Sequence, residues 1–408
     1  MAAVGALATL CAVLPTPGAA AASRAEQDRS GPGRVMAASD PVPGRYIVVL
    51  KDRTMSARSA TEQSTDLAER YGGLVHHRYA FAIKGYAAEM SADQAQQIAA
   101  DPRVAYVEQD SVVQASTTQP NPPSWGLDRV DQRDLPLNKS YSYGTTAAGV
   151  TAYIVDTGIR TSHTQFGGRA VVGVDEVGDG RAGQDCKGHG THVAGTVGGR
   201  DYGIAKEVKL VAVRVLDCSG NGTASKIIAG VDWVTAHAVK PAVVNMSLNT
   251  TNGVSDAQDT AIGNSIAAGI TYVVSSGNAG ADACRNSPGR VQAAIVVNNA
   301  DSRDRRASDS NYGRCTDLFA PGVGITSAWN SGDTATRSLG GTSMAAPHVT
   351  GAAALYLAAH PAATPAEVQS ALIAAATTGK ISNPGSGSPN RLLFVDGADA
   401  PTAATADG

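Results

Sequence analysis

The run Gly340-Gly341-Thr342-Ser343-Met344-Ala345-Ala346-Pro347-His348 sets a serine among small residues, ahead of an apolar helix expected to reach about residue 357. A helix N-terminus favours negative charge developing beside it, and small neighbours let another backbone come close. A nucleophilic serine needs both, although a serine that merely caps a buried helix shares these surroundings. Pro347 is expected in the first turn, where N–H groups have no intrahelical partner. A serine hydroxyl also needs a base, and neutral imidazole suits that task near pH 7. Gly188-His189-Gly190-Thr191-His192-Val193-Ala194-Gly195 offers two imidazoles at the start of a small-residue helix. The glutamate of an H-E-x-x-H zinc motif is missing there. An imidazole base needs a carboxylate to hold its tautomer. Tyr153-Ile154-Val155-Asp156-Thr157-Gly158 reads as a strand ending in one. Val273-Val274-Ser275-Ser276-Gly277-Asn278 ends a further strand in an asparagine whose amide could donate to an oxyanion. Each signal alone has an ordinary reading as a turn or a cap. Together, in the order Asp156, His189, Ser343, they read as nucleophilic acyl-transfer machinery.

Such residues must be brought together by strand ends. From Trp125 onward, apolar runs without alternation recur at 150–155, 210–216, 243–248, 270–274 and 294–297, with helix-length segments between several of them. That pattern predicts parallel strands buried on both faces, hence an α/β domain with helices on both sides of its sheet. In such sheets function gathers at the C-terminal strand ends. Upstream, residues 44–114 read as a separate small unit. Strands at 46–50, 74–79, 86–89 and 104–108 enclose helices at 56–70 and from the capping box Ser91-Ala92-Asp93-Gln94 to about residue 100. The order β-α-β-β-α-β is the ferredoxin-like split pattern. The polar, proline-rich stretch 116–123 reads as a linker at a domain boundary, because its three prolines exclude a helix or a central strand.

The remainder bounds the setting. The chain has 408 residues, 43% hydrophobic and 17% charged, enough for one large core and a smaller domain. A net charge of −3 gives no argument for nucleic acid or an anionic membrane. Forty-five glycines without a collagen-like period point to tight turns and close backbone approaches. Residues 4–14 are apolar and are followed by small residues, too short a run to span a bilayer. Residues 1–22 match a secretory signal, although no Lys or Arg precedes the apolar core. Residues 23–43 then read as a flexible leader and 398–408 as a disordered tail. Of five cysteines, Cys11 would leave with the signal. Cys186, Cys218, Cys284 and Cys315 suggest two disulfides in a secreted chain, with three connectivities open.

The four motifs around Asp156, His189, Asn278 and Ser343 resemble those of subtilisin-like serine peptidases. The proteinase K subgroup, with its secreted bacterial aqualysin-type members, is the nearest pattern. Among the familiar Ser-His-Asp orders only the subtilisin one runs Asp, His, Ser. The resemblance extends over about residues 125–395, and residues 44–114 resemble the family's inhibitory propeptide. It implies an α/β parallel-sheet catalytic domain over 115–397 after a small α+β ferredoxin-like propeptide domain. It further implies a secreted serine endopeptidase made as a self-processing precursor, cut near Ala115. Ser343 would be the nucleophile and His189, not His192, the base. Asp156 would orient His189, and Asn278 would complete the oxyanion hole with the Ser343 N–H. The same likeness pairs Cys186 with Cys218 and Cys284 with Cys315, and makes Ser287-Pro288 a cis peptide.

Peptide substrates in this family add a strand between two extended edges. The matching segments here are Ser219, Gly220 and Gly222 on one side and Ser247, Leu248 and Asn249 on the other, with Ser276 and Gly277 beside them. Asn249 departs from the family's glycine and Ser275-Ser276 from its alanines, so a more polar, reshaped pocket is expected for the side chain before the scissile bond. No cofactor is implied for catalysis. Structural calcium is implied at two places: Asp317 with the carbonyls of Gln292 and Ala294, and Asp128, Asp131 and Gln132 with help near Asn138 and Ser140. Calcium wants six to eight oxygen ligands, and the second set is short of charge because Asn138 replaces an aspartate. The implied partners are protein and peptide substrates and the chain's own propeptide, with the enzyme a monomer. A peptide-binding pseudoprotease is the competing expectation. An α/β-hydrolase esterase is not, since G-x-S-x-G and the order Ser, Asp, His are absent.

Overall fold

A computed structural model describes residues 35–38, 41–111, 117–251 and 253–396. The signal, most of the leader, the expected cleavage point near Ala115 and the tail lie outside the described residues. The chain divides into two compact units, before and after the junction of residues 113 and 114.

In the first unit, β1 (Val35–Met36), β2 (Pro41–Leu50), β3 (Leu74–Tyr79), β4 (Gly85–Glu89) and β5 (Val104–Ser111) form one sheet in the order β1-β5-β2-β4-β3. From β2 onward, helices α1 (Ala57–Tyr71) and α2 (Ala92–Ala99) complete the β-α-β-β-α-β order. Ser56 caps α1 by accepting from the Ser59 N–H, and Gly72 ends it at φ 83°. The Ser91–Gln94 capping box opens α2. Val48, Leu67, Ile98 and Val107 fill the core with no exposed surface. The expectation of a flexible leader over 23–43 is corrected at its end. Val35–Met36 pairs in parallel with Val107 and Glu108 of β5, and β2 already begins at Pro41. Edge pairing draws on backbone groups alone, and a proline is tolerated at the first position of a strand.

In the second unit nine strands line up as β17-β18-β14-β13-β12-β11-β8-β10-β9. They are β8 (Thr151–Asp156), β9 (Ala170–Asp175), β10 (Lys209–Arg214), β11 (Ala242–Met246), β12 (Thr271–Ser275), β13 (Ile295–Ala300), β14 (Leu318–Pro321), β17 (Thr377–Thr378) and β18 (Arg391–Leu392), while β15 (Ile325–Ala328) and β16 (Thr336–Leu339) pair separately as an antiparallel ribbon. All pairings are parallel except β17 with β18. Every residue of β8 is buried, which is why the run lacks alternation. Ala152 and Ile154 face a core with helices α4 (His189–Gly198), α7 (Thr342–Ala359) and α8 (Pro365–Ala375). Tyr153 and Val155 face the opposite core with α5 (Ala224–His237) and α6 (Asp256–Ala267). The short helix α3 (Trp125–Val130) precedes the sheet. Cys186–Cys218 and Cys284–Cys315 are bonded, and Ser287-Pro288 is cis, as the resemblance implied.

Two further expectations need correction. Residues 117–120, read as linker, form β6 (Thr117–Pro120), paired antiparallel with β7 (Ser140–Tyr143). A two-stranded ribbon has only edges, so its proline costs no central ladder bond. Pro347 lies in the second turn of α7, not the first. The Ser343 carbonyl it leaves without an N–H donor accepts instead from the Ser247 hydroxyl at 2.8 Å. The helix therefore keeps its path while one carbonyl is given to a neighbouring segment.

Candidate active site

Asp156 closes β8 and is fully buried. Its Oδ1 and Oδ2 lie 2.8 and 2.9 Å from His189 Nδ1, and the Thr157 N–H donates to Oδ1 at 2.7 Å. His189 is the first residue of α4. Gly190 lets that helix start close to the strand end, because a Cβ there would sit 2.2 Å from the Gly158 carbonyl. Burial pulls the His189 imidazole down, but the charge and hydrogen bond of Asp156 outweigh it and leave its pKa above the ordinary 6.5. Asp185 adds to the rise and Lys187 opposes it. His192 has a different environment. It is wholly buried, its Nε2 lies 3.0 Å from both the Ile325 and Arg337 carbonyls, and burial pushes its pKa down to about 4. It packs the helix and faces no carboxylate partner among the described residues.

Ser343 is the second residue of α7, so its N–H has no intrahelical acceptor. Its hydroxyl donates to the Ser247 carbonyl at 3.2 Å rather than to His189. Together with the Ser247 hydroxyl on the Ser343 carbonyl, this makes a two-bond clasp between α7 and the end of β11. Asn245 Nδ2 holds the Ser247 hydroxyl at 2.8 Å, and the Thr350 hydroxyl holds Asn245 Oδ1 at 2.8 Å. Asn278 follows β12. Its Oδ1 accepts from the Thr342 N–H at 2.8 Å and hydroxyl at 2.9 Å. That fixes the amide and leaves Nδ2 without a partner among the described residues.

One cleft of about 450 Å³ is lined by His189, by 219–222 and by 247–249. The Asp217 carboxylate shapes the first edge by accepting from the Ser219 and Asn221 N–H groups at 2.8 and 2.9 Å. At the second edge, Asn249 Nδ2 donates to the Ser275 carbonyl at 2.9 Å and the Ser275 hydroxyl returns a bond to Asn249 Oδ1 at 3.0 Å. The two departures from the family pattern are thus one reciprocal pair. Ser276 is buried, with its hydroxyl unpartnered, and Gly277 is buried beside it at φ 107°.

Sequence reasoning missed Asp185. Its Oδ1 accepts from the Thr157 hydroxyl at 2.9 Å and the Gly188 N–H at 2.8 Å, and its Oδ2 accepts from the Thr191 N–H and hydroxyl at 2.9 and 2.6 Å. It ties the turn after Asp156 to the turn before His189. An acidic residue four positions ahead of a helix-start histidine was the available signal.

The cation-site residues differ in how well they fit. Gln369 Nε2 donates to both the Gln292 and Ala294 carbonyls, at 3.2 and 3.3 Å, and its side chain also bonds Asp317. All three expected ligand residues therefore border the Gln369 amide. Burial pushes the Asp317 carboxyl up to about 6. In the other set, Asp128 Oδ1 and Oδ2 accept from the Asn138 and Lys139 N–H groups, so it acts as a loop clamp. Gln132 Oε1 also accepts from the Asn138 N–H. Asp131 Oδ2 accepts from the Ser142 N–H, while its buried Oδ1 has no partner and burial pushes the carboxyl up to about 6. A cation would satisfy that orphan oxygen. Asp179 also approaches the sulfurs of Cys186 and Cys218, but those are bonded to each other and Asp179 is engaged by Arg214.

The fold and geometry agree with the chain's relatives. Residues 147–394 match the subtilase family and residues 45–116 match peptidase inhibitor I9. The chain is 51% identical over 375 residues to an extracellular serine proteinase of Thermus sp. (strain Rt41A), covering 88% of this chain and 91% of that one. It is 45% identical over 378 residues to alkaline serine exoprotease A of Vibrio alginolyticus, covering 89% and 70% respectively. A crystal structure of a cold adapted subtilisin-like serine proteinase aligns with TM-score 0.64 and 48% identity, over 66% of this chain and 97% of that one. These features define a serine endopeptidase. The chain belongs to the subtilase family and carries an I9 propeptide segment ahead of the peptidase domain. Nothing in the site favours a pseudoprotease.

Proposed function

We propose that the chain is secreted as an inactive precursor and, once processed, cleaves proteins internally with Ser343 as nucleophile. The observation that carries this reading is the pair of buried Asp156 and half-buried His189, the latter set in one cleft with Ser247, to which Ser343 is clasped. For attack, the Ser343 hydroxyl turns from the Ser247 carbonyl to His189 Nε2. Asp156 keeps the proton on Nδ1, so Nε2 presents a lone pair. As Oγ bonds to the substrate carbonyl carbon, Nε2 takes the hydroxyl proton. The oxyanion is received by the unpartnered Asn278 Nδ2 and the Ser343 N–H at the helix mouth. Collapse breaks the C–N bond, and His189 returns its proton to the leaving amine. Water, activated by His189 in turn, hydrolyses the acyl-enzyme. No step uses a cofactor.

Substrate backbone would pair with the edges at 219–222 and 247–249, held by Asp217 and by the Asn249–Ser275 pair. The extracellular names of the relatives and the apolar run at 4–14 support secretion. No helix among the described residues is long and apolar enough to cross a membrane. The I9 match supports the chain's own propeptide as an intramolecular inhibitor. One copy carries every residue of the site, and with a net charge of −3 the chain has no evident role for a nucleic-acid partner. Structural calcium would be held by Asp317 with the Gln292 and Ala294 carbonyls, where the cation displaces the Gln369 amide. Asp131 would anchor a second ion, with Asp128 and Gln132 shaping its loop. Chelation should then lower the melting temperature of the processed enzyme, and Asp131→Asn should reduce that response.

The decisive test uses purified precursor. Wild type should mature without another protease, cut denatured casein, and be labelled at Ser343 by a serine-directed phosphonate. Maturation of a Ser343→Ala precursor in isolation would rule out self-processing. Absence of both casein cleavage and labelling would rule out the peptidase assignment for these residues.

A further inference from the structure

We infer that Gln258 makes the substrate cleft select for an uncharged hydrogen-bonding side chain, best a carboxamide, on the acyl side of the cut bond. The inference rests on the reading that 219–222 and 247–249 bracket the substrate backbone. Gln258 lines the same cleft, together with the side chains of Leu216, Ile227 and Leu248. It has no exposed surface, yet its Oε1 and Nε2 both lack a hydrogen-bond partner among the described residues. These three neighbours are aliphatic, whereas Gln258 offers a desolvated donor and acceptor side by side. A buried polar group without a partner is unusual enough to call for a reason.

The amide is held in place by its surroundings. Gln258 is the third residue of α6, whose first turn is capped by the Ser255 hydroxyl on the Gln258 N–H at 3.4 Å. The next residue, Asp259, accepts from the Ser287 hydroxyl at 2.7 Å and from Arg290 Nε. The Ser255 N–H donates to the same Ser287 hydroxyl at 2.9 Å. These bonds pin the start of the helix, so Gln258 cannot withdraw to solvent by a small shift.

A bound side chain must therefore pass aliphatic walls and meet an amide. Glutamine or asparagine matches both demands, since a carboxamide returns one donor and one acceptor to Gln258. Leucine fills the space but leaves both Gln258 atoms unpaired. A carboxylate satisfies only the donor and brings a desolvated charge. Sites built to hydrogen-bond a substrate group discriminate strongly against analogues that lack it, because their own polar atoms are then stranded.

The test is a set of internally quenched peptides cut by the processed enzyme, with each position on the acyl side of the scissile bond varied among Gln, Asn, Leu, norleucine, Glu and Lys. At one position wild type should cut Gln over norleucine by about tenfold or more in kcat/KM. Gln258→Leu should reverse that order at the same position, and Gln258→Glu should move the preference to Lys. Equal rates for Gln and norleucine at every position in wild type would overturn the inference without any variant. An unchanged ratio in a folded Gln258→Leu enzyme would do the same, since the preference would then have a source other than Gln258. Loss of the peptidase reading is distinguishable, since wild type would then cut neither casein nor any peptide.

Discussion

Replacing Asp156 by asparagine removes one charge and keeps the volume, so it isolates what the carboxylate does. The Thr157 N–H donates to Oδ1 at 2.7 Å, which obliges the asparagine to keep its oxygen there. Its nitrogen then takes the place of Oδ2, 2.9 Å from His189 Nδ1, and points a hydrogen at it. Nδ1 can still donate to Oδ1 at 2.8 Å, but it now competes with a second tautomer in which Nδ1 accepts from the new N–H and the imidazole proton moves to Nε2. In that tautomer no base faces Ser343. A wrong tautomer of this kind lowers kcat about 10⁴-fold, which corresponds to about 5.4 kcal/mol in the barrier.

The same substitution has a pH signature. Burial alone lowers the His189 pKa, and the Asp156 charge with its hydrogen bond reverses that to a net rise above 6.5. Without Asp156 burial prevails, so the acid limb of the residual kcat/KM profile should move to lower pH. The sign for stability is opposite to that of a depressed carboxylate. A histidine with a raised folded pKa contributes fully below its unfolded value and loses that contribution as pH rises through the folded one. Asp156→Asn should therefore cost more stability in acid than in alkali. The assay is kcat/KM on a quenched peptide across the imidazole titration, using variant precursor matured in trans by wild-type enzyme. Activity within tenfold of wild type, or an acid limb that stays where it was, would refute the tautomer argument.

Asn278→Ala should lower kcat about 10²–10³-fold with little change in KM, because the donor acts on charge that exists only in the transition state; a loss confined to KM would count against an oxyanion role. Arg129 is buried, and its Nε and Nη2 bind Asp304 at 2.8 and 2.9 Å. Arg129→Met strands that carboxylate and should cost about 3–5 kcal/mol in urea unfolding, measured on a Ser343→Ala background to prevent autolysis. The Cys284–Cys315 bridge closes a loop of sequence separation 31. Replacing both cysteines by serine in the same background should cost about 3–4 kcal/mol, if the bridge acts by restricting the unfolded chain.

What the sequence revealed and what it concealed separate along a physical line. The sheet was legible because strands buried on both faces are continuous apolar runs, as in β8 and β10. The site was legible because its members stand at strand ends and helix starts, where a carboxylate or imidazole has few competing duties. Edge pairings were not: Val35–Met36 and Thr117–Pro120 join sheets through backbone groups, which leave little mark on side-chain pattern. Nor was the second-turn position of Pro347, since the hydroxyl that satisfies the freed carbonyl belongs to Ser247, 96 residues away. Asp185 resembled an ordinary turn residue until the five hydrogen bonds its carboxylate accepts joined two segments of the site.

Gln258 is the sharpest case. A glutamine in the first turn of a helix reads as surface, because propensity and capping rules there expect polar residues. Only packing shows that this one faces inward, among aliphatic neighbours and without a partner. Local rules locate the groups that break the peptide bond, since that chemistry limits which residue types can serve. Which peptide is broken depends on walls assembled from distant segments, here 216, 227, 248 and 258, and no single stretch of sequence contains that arrangement. Selectivity is therefore the property that a family likeness transmits least well, and the Asn249–Ser275 pair and the Gln258 amide are where this chain's own selectivity should be set.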